Sequence, residues 1–363
     1  MVWQQNDVGV FANDKFITVR IHTSDDNYGW WREKFKTPGT PTVLFLDAEG
    51  NEIDRFVGFG GDKDETFQML KDFAAGINTL PVLLADLDAN PNDVDIHFKM
   101  AKKYQTRYEI PKAMPFFQKV IDLDPEDAKG YKEEATYRLA LNTAQANRDP
   151  EPLKAFIASF PEAKEEMMVN AYTTIARTYQ INQDNDNAVA TFEKAMAAFP
   201  ENADIHYSYA SAIFNGRIED KYDLGLMLNA KAKEIDPEYE RATVYNLMSY
   251  YRNTDNKTEM ITLLDGAIAK WPTMAYTYAS TVASMDIADK YDEAIGMVEA
   301  ELKKEENEKA GYMWFTLGQL FLKKGDKETA LGHMKKAVEL TPTNRAARYI
   351  KAVEEIEKEL QQK

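Results

Sequence analysis

The chain of 363 residues contains no cysteine, which excludes disulfides, thiolate metal sites and thiol catalysis within it. Histidine is nearly as scarce. His22, His97, His206 and His333 are the only four, and they stand too far apart to show metal-ligand spacing, so they read as surface or packing side chains. Basic charge is also short: 44 Lys and Arg face 60 Asp and Glu, a net charge of −16 with pI about 4.9. That balance leaves nucleic acid and anionic membrane as poor partners. No apolar run approaches a membrane span, and no basic then apolar leader follows Met1. No Ser-His-Asp arrangement or phosphate loop can be placed; Gly58-Phe59-Gly60-Gly61 follows a strand without opening a helix and reads as a loop. The expectation is no cofactor and no metal.

What the chain does have is a repeat. In residues 311–344, Trp314, Leu317, Gly318 and Phe321 recur at i, i+3, i+4, i+7, and Ala330, Met334 and Ala337 form a second stripe. Gly325-Asp326 breaks the chain between the two helices, and Pro342 ends the second. Gly318 and Ala330 are small where the helices should approach closest. This stretch resembles the 34-residue tetratricopeptide repeat (TPR). Prolines at 125, 161, 200, 237, 272 and 342 follow at intervals of 36, 39, 37, 35 and 70, which implies seven repeats. The unit ending at Pro161 is degenerate, the unit at 203–239 is about three residues long in its turn, and the unit around 275–308 has lost its final proline.

The first stretch is not a repeat. Its pattern predicts a helix with Trp3, Val8 and Phe11 inward, a strand over 16–23, a helix over 27–36, a β-hairpin turning at Ala48-Glu49-Gly50-Asn51, and a closing helix. Gly39-Thr40-Pro41-Thr42 before Val43-Leu44-Phe45-Leu46, with Phe56-Val57-Gly58, resembles the thioredoxin-like fold after its active-site motif. The resemblance implies a cis Pro41 and a Thr40 backbone that pairs with an extended peptide. The C-x-x-C and the elements before it are absent, so the family's redox chemistry is not carried over. The family's sheet order would place a missing strand between 16–22 and 42–46. That strand is expected from upstream residues or a partner chain, unless the two segments pair directly.

The expected fold is therefore mostly α: a right-handed TPR α-solenoid preceded by a partial thioredoxin-like α/β domain. Its divisions are 1–78, a junction or capping helix at 79–93, seven helix pairs over 94–344, and a capping helix at 345–363. Carboxylates fall mainly at turns and outer faces, as solvated surface. The candidate site is the concave wall, lined by first-helix residues that do not build the core: Phe98, Lys102, Arg177, Gln180, Tyr207, Phe214, Tyr245, Arg252, Asn253, Tyr276, Tyr312 and Phe315. Aromatics beside amides and guanidinium groups suit a protein or peptide partner, although each aromatic could equally fill a contact between repeats. Two functions stay open. One is a non-enzymatic protein-binding scaffold or adaptor. The other is a thiol-disulfide oxidoreductase whose C-x-x-C lies upstream of residue 1, with the repeats selecting substrates. An exported, periplasmic bacterial protein is preferred to a cytoplasmic one.

Overall fold

The computed structural model describes residues 6–22, 27–58, 63–342 and 346–361. It divides into two compact units, Met1–Phe192 and Glu193–Lys363. Trp3 and residues 59–61 of the expected loop lie outside the described residues.

The first unit opens with α1 (Asn6–Lys15) and α2 (Tyr28–Phe35). An antiparallel hairpin comes next, β1 (Thr42–Leu46) and β2 (Glu52–Val57), then α3 (Lys63–Ala74). The hairpin register runs from Thr42 opposite Val57 to Phe45 opposite Asp54. Its turn is held by the Asp47 carboxylate, which accepts from the N–H groups of Glu49 and Asn51. Val8, Phe45, Phe56, Leu70 and Phe73 make the small core of this module.

The strand expected over 16–22 does not form. Phe16 packs its ring 5.4 Å from Phe45, and the chain then runs into solvent, with Ile17 98% and Val19 75% exposed. A strand needs a neighbour's donors and acceptors. Among the described residues β1 pairs with β2 alone, so neither an intervening strand nor direct pairing is present. The sheet is a two-stranded hairpin, not a thioredoxin-like α/β sheet.

From Leu80 onward the described chain is built of helices and the turns between them. The first unit continues with α4 (Leu80–Ala89), α5 (Val94–Thr106), α6 (Ile110–Leu123), α7 (Lys132–Asn147), α8 (Glu151–Ser159), α9 (Glu165–Ile181) and the start of α10 (Asn185–Ala198). The second unit holds α11 (Ala203–Asn215), α12 (Tyr222–Ile235), α13 (Glu240–Asn253), α14 (Lys257–Lys270), α15 (Ala275–Met285), α16 (Tyr291–Leu302), α17 (Gly311–Lys323), α18 (Lys327–Glu339) and α19 (Ala347–Gln361). From α5 to α18 these form seven helix pairs among the described residues. Each recurring proline sits two or three residues beyond the end of a second helix, because a residue before proline is pushed out of the helical region.

Every pair turns through one left-handed residue: Tyr108, Arg148, Gln183, Arg217, Asp255, Asp286 and Gly325, with φ between 50° and 87°. Only the last is a glycine. The long turn before α12 carries an extra 3-10 turn at Glu219–Lys221, which accounts for the added residues there. Within pairs the helices approach through small residues. A Cβ on Gly318 would stand 2.6 Å from Met334 Cγ and 3.1 Å from the Ala330 carbonyl.

One buried carboxylate ties the hairpin to the first helix pair. Asp54 on β2 is fully buried. Its Oδ1 accepts from the Arg55 N–H at 2.8 Å and Arg107 Nη1 at 2.9 Å, and its Oδ2 from the Leu80 N–H at 3.0 Å and Lys103 Nζ at 2.7 Å. Arg107 also donates to Glu52 and Glu109, at 2.7 and 2.8 Å. Burial opposes the Arg107 charge, but the hydrogen bonds to Asp54 and Glu52 outweigh it and raise its pKa. Burial likewise pushes Glu52 and Glu109 up. Hydrogen bonds from Arg55, Arg107 and Lys112 nevertheless hold both below the ordinary glutamate value of 4.5.

Gly318→Leu should destabilise by about 1 to 3 kcal/mol through overpacking; an unchanged melting temperature would contradict the close approach. Asp54→Ala strands two buried cations and should cost about 3 to 5 kcal/mol in chemical denaturation. Because Glu52 and Glu109 titrate lower when folded, the unfolded chain binds more protons around and below pH 4.5. Stability should therefore be full above that pH and fall as acid is added, and less steeply in Glu52→Gln.

Candidate partner-binding surfaces

In the first unit, the first-helix residues are largely engaged with their neighbours. Phe98 stacks on Tyr131, with ring centroids 4.1 Å apart and an interplanar angle of 2°. Lys102 pairs with Glu134 at 2.6 Å. Arg177 is exposed and Gln180 is partly buried.

In the second unit, α11 packs beside α13, and α15 beside α17, so the first helices of successive pairs are neighbours. Several of the expected wall residues are spent on that packing. Phe214 is fully buried and Phe315 is 4% exposed. Phe315 stacks 4.2 Å from Tyr349 on α19, so the terminal helix covers it. Both were expected on the open wall and belong instead to the packing. Asn253 donates to the Phe214 carbonyl at 2.6 Å, pinning α13 to α11. Tyr207 lies 5.4 Å from Tyr239.

What remains open is a smaller set. Tyr245 is 42% and Tyr312 48% exposed, and Arg252, one residue before Asn253 on α13, is also exposed. Tyr276 is held against Tyr312 with ring centroids 5.0 Å apart, and its hydroxyl bonds Thr316 Oγ1 at 3.0 Å. Burial raises the Tyr276 and Tyr312 pKa values, so both phenols stay neutral around pH 7. The surface thus offers aromatic faces, the Arg252 guanidinium and no fixed negative charge from its tyrosines.

At the hairpin, the Thr40–Pro41 bond is cis. Thr40 is exposed and Pro41 partly buried, and the Pro41 carbonyl accepts from the Gly58 N–H at 2.8 Å. The histidines do not converge. His97 and His206 each bond the carbonyl of a proline six residues earlier through Nε2, at 2.9 and 2.8 Å, and serve the repeat packing. No group of acidic or histidine side chains fit to hold a metal is found among the described residues.

Sequence reasoning missed a cleft of about 750 Å³ where α2, the hairpin turn and the α5–α6 turn meet. Lys34, Lys36, Arg55, Arg107 and Tyr108 are among its lining residues. They are spread over three segments with no shared period, so no spacing in the sequence signals them.

A family model described as Tetratricopeptide repeat matches residues 288–345, and a second of the same description matches residues 169–202. No curated protein matches the chain. Among solved structures the chain is similar to yeast Tom70, at 16% identity over 83% of this chain and 62% of that one, with a TM-score of 0.54. It is also similar to the human IFIT1 dimer with PPP-AAAA, at 14% identity over 77% of this chain and 69% of that one, with a TM-score of 0.41. The chain thus spans under two thirds of the Tom70 chain, and at that identity the likeness is one of fold. With repeats matched at 169–202 and 288–345, the chain contains tetratricopeptide repeats.

Proposed function

We propose that this chain is a non-enzymatic scaffold that binds a protein or peptide partner through its tetratricopeptide repeats. The observation that carries the reading is the open aromatic surface of the second unit, where Tyr245, Tyr312 and Arg252 remain exposed after the packing is complete. Tyrosine and arginine dominate binding energy at protein interfaces because they combine large contact area with directed hydrogen bonds. Solvent exposure of two tyrosines on first helices has no packing purpose of its own.

The partition into an N-terminal module at 1–78, a junction at 79–93, the repeats at 94–344 and a cap at 345–363 belongs to this proposal. So does the thioredoxin-like origin of the module, which rests on the order of α2, the Thr40-Pro41 loop, the hairpin and α3. Thr40 and Pro41 are exposed enough to touch a peptide in that reading. The oxidoreductase alternative, which places its C-x-x-C upstream of residue 1, is not favoured, since the family models that match are tetratricopeptide repeats.

The test replaces Tyr245, Arg252 and Tyr312 with Ala, alone and together, and measures partner capture from the native lysate beside melting temperature. Each single change should weaken capture by roughly tenfold, the scale of a 1 to 2 kcal/mol interface contact. An unaltered partner set in the folded triple variant would refute the proposal.

A further inference from the structure

The cleft of the first unit stands apart from the rest of the surface in charge. Five of its thirteen lining residues are Lys or Arg and two are Glu, a formal excess of +3, whereas the chain as a whole carries −16. A concave site of one sign focuses field and draws in opposite charge. Its cations fall into two kinds. Arg107 gives Nε, Nη1 and Nη2 to three carboxylates and is buried, while the exposed Lys112 pairs with Glu109, so both are already committed. Lys34 and Lys36 form no ion pair among the described residues; Lys34 sits 5.0 and 4.9 Å from the Trp30 and Phe35 ring centres. Arg55 is 8% exposed and is clamped by Glu52 through Nε and Nη2. That leaves its Nη1 without a hydrogen-bond partner among the described residues.

Tyr108, on the cleft's lining, is a second and separate anomaly. It holds the left-handed turn position with φ 60° and is 63% exposed. At the same position the other helix pairs use Arg, Gln, Arg, Asp, Asp and Gly. The turn therefore does not call for an aromatic, and a bulky side chain is disfavoured in that backbone region. Neither packing nor turn geometry accounts for it, whereas contact with a bound chain does.

We propose that this cleft binds a short acidic peptide segment of a partner protein. Its carboxylates would be met by Lys34, Lys36 and Arg55 Nη1, and an apolar side chain would rest on the exposed ring of Tyr108. The volume of about 750 Å³ exceeds what a single inorganic anion fills, and Phe35, Pro38 and Pro111 supply apolar wall that a bare anion would not use. A long polyanion would be repelled by the −16 charge beyond the cleft. This surface lies outside the repeat faces argued above, and its failure would leave that reading standing.

The full chain is titrated at low salt with labelled eight-residue peptides, each combining Glu residues with one Phe or Leu, and with their Gln counterparts. The acidic peptides should bind at least about tenfold more tightly than the Gln set and weaken as salt rises. Lys34→Glu combined with Lys36→Glu should reduce affinity by at least about tenfold. Tyr108→Gly should lower affinity several-fold while the melting temperature holds or rises, because glycine suits the left-handed turn. Any one of four results would overturn the proposal: no binding of acidic peptides, equal binding of the Gln set, full affinity in the double lysine variant, or complete displacement by millimolar inorganic phosphate. Preference for a single-stranded oligonucleotide over the acidic peptides would overturn it as well.

Discussion

A carboxylate with no access to water must be compensated on every side, and Asp54 is compensated by atoms from three different parts of the chain. Its own strand supplies the Arg55 N–H, the start of α4 supplies the Leu80 N–H, and α5 with its following turn supplies Lys103 and Arg107. Since each of those cations is itself buried, no member can leave without stranding another. The pairing fixes the hairpin against the first helix pair, and with it the cleft that the hairpin turn, α2 and the α5–α6 turn enclose.

The repeats hold together by a different means. Within each pair, small residues let the helices close to contact, as at Gly318 against Met334 and Ala330. Between pairs, aromatic stacking and side-chain amides bridge neighbouring helices: Phe98 on Tyr131 in one unit, Asn253 on the Phe214 carbonyl in the other. Ion pairs one repeat apart, such as Lys102 with Glu134 and Lys324 with Asp292, decorate the surface and contribute little individually. Among the large side chains left exposed are Tyr245 and Tyr312 in the second unit and Tyr108 at the cleft of the first.

The helix pairs were legible from residue order because their determinants are local. A 3.6-residue stripe, a breaking turn and a terminating proline all act within one unit of about 35 residues, and repetition reinforced each signal. The N-terminal segment 16–22 misled for the opposite reason. Its alternation of Ile17, Val19 and Ile21 is a strand pattern, but a strand is completed by a neighbour, and none of the described residues provides one. Phe214 and Phe315 were placed on the wall by their position in the repeat, and contacts with adjoining helices took them inside.

Composition and period by themselves determined that most of this chain is built of helical hairpins of the tetratricopeptide kind and that its 363 residues hold no thiol. Only the tertiary structure decided which first-helix residues stay exposed, that the hairpin is clamped to the first helix pair, and that a positive cleft forms in an acidic protein. Asp54 meets Lys103 and Arg107 across 49 and 53 residues, between a strand and a helix that share no period. The partners of a buried charge are chosen by how whole elements dock, and that choice is absent from any local window of the chain.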